Sequence, residues 1–452
     1  MERRDFLKLA SMTGLTVAVG SSIDTKVAEA APANTLYLNF HCGGGIDTTN
    51  FVDPKGAANE QEAIAQAPTS AMNRYLTSEI ADHTDSTSGV SWAPLHLSRQ
   101  LVGNNAGALR FDAFMRDYAK HMLVVRGIDC QTNSHDVGMR SSVTGNMAEH
   151  TPAFGAIVSA ALLPEAPLAF ISYGGYSETA GLTAVTRLGN LGAIRRLAYP
   201  YRRGADPEDG LYFADEQAAM IAEARKGRFD AKMAAQKLPK LQNSMNTLYL
   251  SRLGQNELKQ LVDFLPDGDA LLDGVAGQVQ LVAAAFKAGL AVAANLGMPG
   301  GYDHHGGVDG SLNDSFDQAF DPDAGLPAAV RVIEDLDLFD KSCFSITSDF
   351  GRTPGYNMGD GKDHWPTTSF VCFGSIAGKK IKPGVKGGSN ERHEPRGVDP
   401  TTGKVNDGTL TIKQGHIQNC LRRLAGVEES EGARRNPVPE PTGELMDLIE
   451  VG

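Results

Sequence analysis

The chain predicts an α/β protein whose central sheet is flanked by helices, and three observations carry that expectation. Short apolar runs recur along it, at TLYLNF (35–40), MLVVR (122–126), LAFISY (168–173), CFSIT (343–347) and FVCFG (370–374). Stretches with apolar residues at helical spacing separate these runs, which suggests a largely parallel sheet with helices on both faces. Glycine, Asp and His cluster just after several runs, where an open α/β sheet carries its functional loops beyond the carboxyl ends of the strands.

Each element follows in order. The first residues set Arg3 and Arg4 ahead of a mildly apolar stretch from Leu7 to Val19, and the small residues AEAAPA follow at 28–33. That pattern predicts a twin-arginine export signal over 1–33, recognition by the twin-arginine export machinery, and a destination in the periplasm or cell envelope. Residues 7–19 are too few to span a bilayer, and no later run reaches the roughly 20 apolar residues required, so no stable membrane span is expected. Residues 34–452 then read as a single domain. Its first strand is broken by HCGGGID, and the other runs repeat the strand signature. Between about Asp215 and Leu296 the composition shifts to Ala, Leu, Lys, Arg and Gln. Met220, Ala224, Phe229 and Met233, and then Leu258, Leu261 and Leu265, fall at helical spacing and predict a helical insertion or cap over 215–296. Residues 379–407, rich in Lys, Gly, Pro, Asn and Arg, predict a long surface excursion, and helical periodicity returns from Gln414 to Leu424.

Composition bounds the function. At 452 residues, 41% hydrophobic and 21% charged, the chain can bury a large core. A net charge of -12 with no offsetting basic stripe argues against nucleic acid as the partner. A small anionic substrate stays open, because a bound cation inverts the local charge. The five cysteines are widely spaced without a CxxC pair, so no disulfide framework is expected. Cys343 and Cys372 sit in apolar runs as core residues.

Three segments far apart set metal-capable side chains beside glycine or just past an apolar run: GYDHHG (301–306), SDFGRT (348–353) and GKDHW (361–365). Asp303 and His305 offer a carboxylate oxygen and an imidazole nitrogen, which suit zinc and are tolerable to manganese or iron. His304 beside them is a donor to the ligands, a ligand to another ion, or merely exposed. Asp349 stands at the end of the CFSIT run, where a strand delivers a ligand, and Arg352 either orients that loop or binds an oxyanion. Asp363 and His364 add a further pair. Asp47, after GGGI, is a ligand or the carboxylate of an Asx-turn, and His41 or Cys42 could contribute. Ser134, after the MLVVR run, is a nucleophile at a helix N-terminus or an ordinary N-cap.

Taken together these segments resemble a bacterial exported family known as domain of unknown function 1501, related to the alkaline phosphatase and sulfatase superfamily. The resemblance runs from the export signal and GGGID through GYDHH, SDFGRT and GKDHW. GYDHH is similar to the family's Gly-Trp-Asp-Thr-His segment, with Tyr302 and His304 standing where that pattern has Trp and Thr. The resemblance implies an alkaline-phosphatase-like fold with one or two divalent ions beside a hydroxyl or formylglycine nucleophile. It implies Asp47, Asp303, His305, Asp349, Asp363 and His364 as metal residues, with zinc favoured and manganese, iron, magnesium or calcium open. The NSHDVG segment looks like the nucleophile region of metal-dependent phosphomutases, which raises Ser134. No CxPSR sulfatase signature is present.

The expected chemistry is attack by Ser134 or by water on phosphorus or sulfur, with Arg352 or Arg140 binding an equatorial oxygen. The substrate would be a small anionic ester or a sulfated or phosphorylated glycan. A non-catalytic envelope or carbohydrate-binding protein with the same fold, and a phosphoryl transferase, are the other readings.

Overall fold

The computed structural model describes residues 34–64, 75–164, 166, 168–199, 201–204, 209–238, 241–242, 245, 258–441 and 443–452. The export signal predicted over 1–33 lies outside the described residues.

A nine-stranded sheet organises the larger of two compact units, which joins residues 33–188 to 264–452. In chain order its strands are β1 (Leu36–Cys42), β2 (Leu123–Asp129), β3 (Phe170–Ser172), β4 (Val185–Thr186), β5 (Ala293–Gly297), β6 (Ser342–Ser348), β9 (Thr367–Ile376), β10 (Lys379–Lys380) and β11 (Gly384–Gly387). The short β7 (Gly351–Arg352) and β8 (His364–Trp365) form a separate antiparallel ribbon. The sheet order is β11-β2-β9-β6-β1-β5-β3-β4, with β10 paired to β9. β1 lies near the middle, parallel to β5 and β6. Six of its seven residues are buried, as expected of a strand covered on both faces.

The five apolar runs all supply strands, and one departs from the expected direction. FVCFG falls in β9, which runs antiparallel to β2 and β6. The connection from β6 to β9 carries the β7-β8 ribbon and no helix, so the chain returns on the edge it left. β5 has no counterpart among the runs. Its sequence, AANLG, lacks the β-branched and aromatic residues that mark a strand, yet packing between β1 and β3 buries Ala293, Ala294 and Leu296.

Side-chain alternation divides the core. Tyr37, Val125, Phe170, Cys343, Phe370 and Cys372 join a buried cluster with residues from α2 (His135–Thr144), α3 (Phe154–Leu162) and α9 (Gln414–Leu424). Phe344, next to Cys343, points the other way and stacks on Phe373 at 4.7 Å. Elsewhere in this unit α1 (Ala106–Tyr118) packs on α7 (Val308–Ala319), with Phe111 and Phe316 4.6 Å apart, and α6 (Gly274–Lys287) packs on α8 (Leu326–Asp335). All five cysteines are free and buried.

The smaller unit takes in residues 189–263, with α4 (Leu191–Ala198), α5 (Asp215–Ala235) and the short helix Leu258–Val262. The stretch predicted as one insertion over 215–296 therefore divides, because α6 and β5 belong to the sheet-bearing unit. Met233 and Leu261 are buried as predicted, whereas Met220 is 70% exposed and Ala224 is exposed too. The segment 379–407 also differs from a surface excursion: β11 joins the sheet beside β2, and His393 is fully buried. No helix among the described residues is long and apolar enough to cross a membrane.

Candidate metal centre

The carboxyl ends of β1, β5 and β6 lie side by side, with Cys42 opposite Ser348 and His41 opposite Gly297. Four segments gather at this edge: the loop after β1, residues 298–306 after β5, residues 349–352 after β6, and the 130–135 turn leading from β2 into α2. Their close approach depends on glycine. Gly44 has φ +112°, and a Cβ there would stand 2.6 Å from the Asp303 amide nitrogen.

Asp303 is the focus of three imidazoles. Its Oδ1 lies 3.0 Å from His305 Nε2 and 3.2 Å from His364 Nε2, and its Oδ2 lies 3.6 Å from His135 Nε2. In each ring the other nitrogen is held by an acceptor. His364 Nδ1 donates to the Asn133 carbonyl at 2.9 Å, His305 Nδ1 to Asp363 Oδ1 at 2.9 Å, and His135 Nδ1 to Asp349 Oδ2 at 2.8 Å. With a proton on each Nδ1, the three rings turn their Nε2 atoms towards one carboxylate. His305 Nε2 and His364 Nε2 are only 3.1 Å apart, and Arg352 Nη1 approaches the same His305 nitrogen at 3.4 Å.

The carboxylates are charged. Burial pushes Asp303 up, but the Arg352 guanidinium beside it outweighs that and holds its carboxyl down at about 2. Burial also raises Asp349, and hydrogen bonds from His41, His135 and the Gly44 amide overcome it, leaving its carboxyl below the usual range. The hydrogen bond from His305 keeps Asp363 low as well. One ligand atom each from His135, Asp303 and His364 lies within 4.8 Å of the others. Those two imidazole nitrogens and one carboxylate oxygen fit zinc, and also manganese or iron(II), with His305 Nε2 beside them 3.0 Å from Asp303 Oδ1.

Of the residues singled out in the sequence, Asp303, His305 and His364 meet here. Asp349 and Asp363 adjoin them, each holding an imidazole by its far nitrogen, which is the usual support of a metal-binding histidine. Asp349 is saturated: His41 Nε2 lies 2.6 Å from its Oδ1, and the Gly44 amide donates to its Oδ2 at 2.9 Å. Asp47 is placed apart, with Lys362 Nζ at 2.8 Å and donors from Thr49 and Asn50 around the 3₁₀ turn it caps. Arg352 stands behind Asp303 with none of its side chain exposed. It donates to the carbonyls of Gly44, Gly45, Tyr302 and Lys362 and to Asp303 Oδ1, so its donors are committed to the protein. Arg140 donates to the Met147 carbonyl. Ser134 is the exposed N-cap of α2 and makes no side-chain cap hydrogen bond, although Asn133 and His135 on either side both face the centre.

His304 turns away to Ser315 Oγ at 3.4 Å, which leaves His305 as the imidazole of that segment in the centre. Burial raises the Cys42 thiol far above its ordinary value.

The chain belongs to the DUF1501 family. The family's model, described as a protein of unknown function, matches residues 37–404, a span that contains every segment of the centre. No curated protein matches the chain. Sequence reasoning missed His135 and left His41 open. His41 is the penultimate residue of β1, near the strand-end position that picks out Asp349, whereas His135 opens α2 six residues past the end of β2, beside the Ser134 N-cap that the sequence picks out instead.

Proposed function

We propose that this DUF1501 protein is a metal-dependent hydrolase of phosphate or sulfate esters. The observation that carries the reading is the convergence of three Nε2 atoms, each with its Nδ1 proton already committed, on the ionised Asp303. His135, His305, His364 and Asp303 would hold the ion. A divalent cation bound there supplies Lewis acidity and lowers the pKa of a nucleophile.

The protein's own groups do the rest. Asp349, Asp363 and the Asn133 carbonyl fix the three rings, and Arg352 fixes Asp303. The Asp303 and His305 side chains are 49% and 48% exposed, so a small anionic ester, or a sulfated or phosphorylated group on a glycan, can reach them. Ser134, with its hydroxyl free of a capping bond, is the candidate to attack phosphorus or sulfur, and water is the alternative nucleophile. In either case the new bond to oxygen forms as the ester oxygen leaves, taking the proton of the attacking hydroxyl or water and departing as the alcohol; on the serine route water then displaces the transferred group from Ser134 and restores its hydroxyl. The same reading takes the sheet as an alkaline-phosphatase-like core, and residues 1–33 as a twin-arginine signal directing it to the periplasm or cell envelope.

The test is a metal analysis of the purified protein followed by a screen of phosphate and sulfate esters. Turnover that is lost on chelation and restored by zinc or manganese is the expected result. S134A should then lower turnover by orders of magnitude while metal content is kept; full activity would assign the attack to water. Metal binding by the wild type without turnover of any ester would sink the hydrolase reading in favour of a binding protein.

A further inference from the structure

We propose that His83, His96 and Asp112 form a second site for a transition-metal dication, separate from the Asp303 centre, in which the Arg116 guanidinium competes with the ion. His83 follows the short helix Thr77–Ala81, His96 lies in the turn Leu95–Leu97, and Asp112 sits on α1. One ligand atom from each lies within 4.8 Å of the others.

The ligands are held as metal ligands are held. His83 Nδ1 donates to the Glu79 carbonyl at 2.6 Å, which leaves Nε2 with a lone pair 3.3 Å from Asp112 Oδ1. Trp92 Nε1 donates to that same Oδ1 at 2.8 Å and fixes the carboxylate. His96 Nδ1 is buried with no hydrogen-bond partner, and its ring centroid is 5.3 Å from that of His83.

Arg116 accounts for part of this arrangement. Its Nε lies 2.8 Å from Asp112 Oδ2 and its Nη2 lies 3.1 Å from His83 Nε2. That pairing offers nothing to His96. The Asp112 carboxylate is buried, whereas the Arg116 side chain, four residues along the helix, is 51% exposed, so it is the arginine that can swing into solvent when an ion takes its place on the carboxylate. Two imidazoles and one carboxylate then fit zinc, cobalt or iron(II).

Trp92 reports on the site, because its ring packs edge-on against His83 at 5.8 Å and the chain has only two tryptophans. In full-length protein carrying Trp365→Phe and His364→Ala, cobalt(II) titration should quench Trp92 emission with one ion bound. Adding His96→Gln should weaken that binding at least tenfold, and Arg116→Met should strengthen it at least threefold by removing the competitor. In the wild-type background, His96→Gln should lower the metal content by one ion per chain with an unchanged circular dichroism spectrum. An absence of quenching at millimolar cobalt, or equal affinities in His96→Gln and its parent, would overturn the proposal. So would an Arg116→Met protein that loses stability and gains no affinity.

Discussion

At Asp309 the behaviour of one carboxyl is set by what surrounds it. The residue is fully buried in the first turn of α7 and accepts hydrogen bonds from Asn50 Nδ2 and Tyr356 Oη, both at 3.0 Å, and from Ser98 Oγ. Burial raises its pKa, and the hydrogen bonds and nearby Lys362 offset that only in part. A carboxyl whose folded pKa is raised contributes stability that is fully present below its unfolded value of about 4 and is lost as the pH climbs through the folded value. Asp309→Asn removes that titration. Its melting temperature should equal the wild type near pH 4 and exceed it by pH 8, on the order of 2–4 °C for each kcal/mol recovered. Melting curves that stay parallel over that range would refute the assignment. Single residues also mark the limit of sequence reading. Asp47 fits a ligand and an Asx-turn equally well until Lys362, far along the chain, is seen to fill its carboxylate. The choice between His304 and His305 likewise turned on Ser315, a neighbour that spacing does not reveal.

Among the elements, α2 carries the centre's one helical ligand, and its seat depends on Gly138. A Cβ at Gly138 would lie 2.4 Å from the Asp349 carbonyl oxygen. Helix propensity alone predicts that Gly138→Ala stabilises the protein by about 1 kcal/mol. Contact with the Asp349 backbone predicts the opposite sign: overpacking should cost about 1–3 kcal/mol. The shift should also pull His135 from Asp349 and weaken metal affinity by roughly tenfold or more, as loss of a supporting hydrogen bond does. Calorimetric melting with a zinc titration decides it, since a more stable variant with intact affinity would mean that α2 is not seated on Asp349. Elements were legible where packing and composition agree, as in the apolar runs that became β1, β2, β6 and β9. β5 was hidden because alanine suits a helix, and only neighbours on both sides make AANLG a strand. The direction of β9 was hidden for a different reason, since strand signals carry no polarity.

Across the whole molecule, the proposed centre draws on residues 133–135, 303–305, 349–352 and 363–364, which approach one another only in the folded chain. An ion bound there would bind the folded state alone, and at one hundred times its dissociation constant would add about 2.7 kcal/mol. Calorimetry with and without a chelator should show that difference in the wild type, and H364A should reduce it; equal effects in both proteins would separate the stabilisation from this centre. The sequence shows which Asp and His residues follow apolar runs or sit beside glycine, as Asp349 does after β6, because both features are local. It did not supply the division of labour between Asp303 and the supporting Asp349 and Asp363, which depends on which imidazole nitrogen each one meets. The reversed strand β9 has one more implication. Because β6 leaves the sheet and β9 re-enters it at the same edge, residues 349–366 hang from two adjacent hydrogen-bonded strands as a closed excursion. Only the point of that excursion, where Met358 is wholly exposed, is free to change sequence without disturbing strand order, because Asn357 on one side donates to the His305 carbonyl and to Asp363 Oδ1, and Asp360 on the other bridges to Gly306.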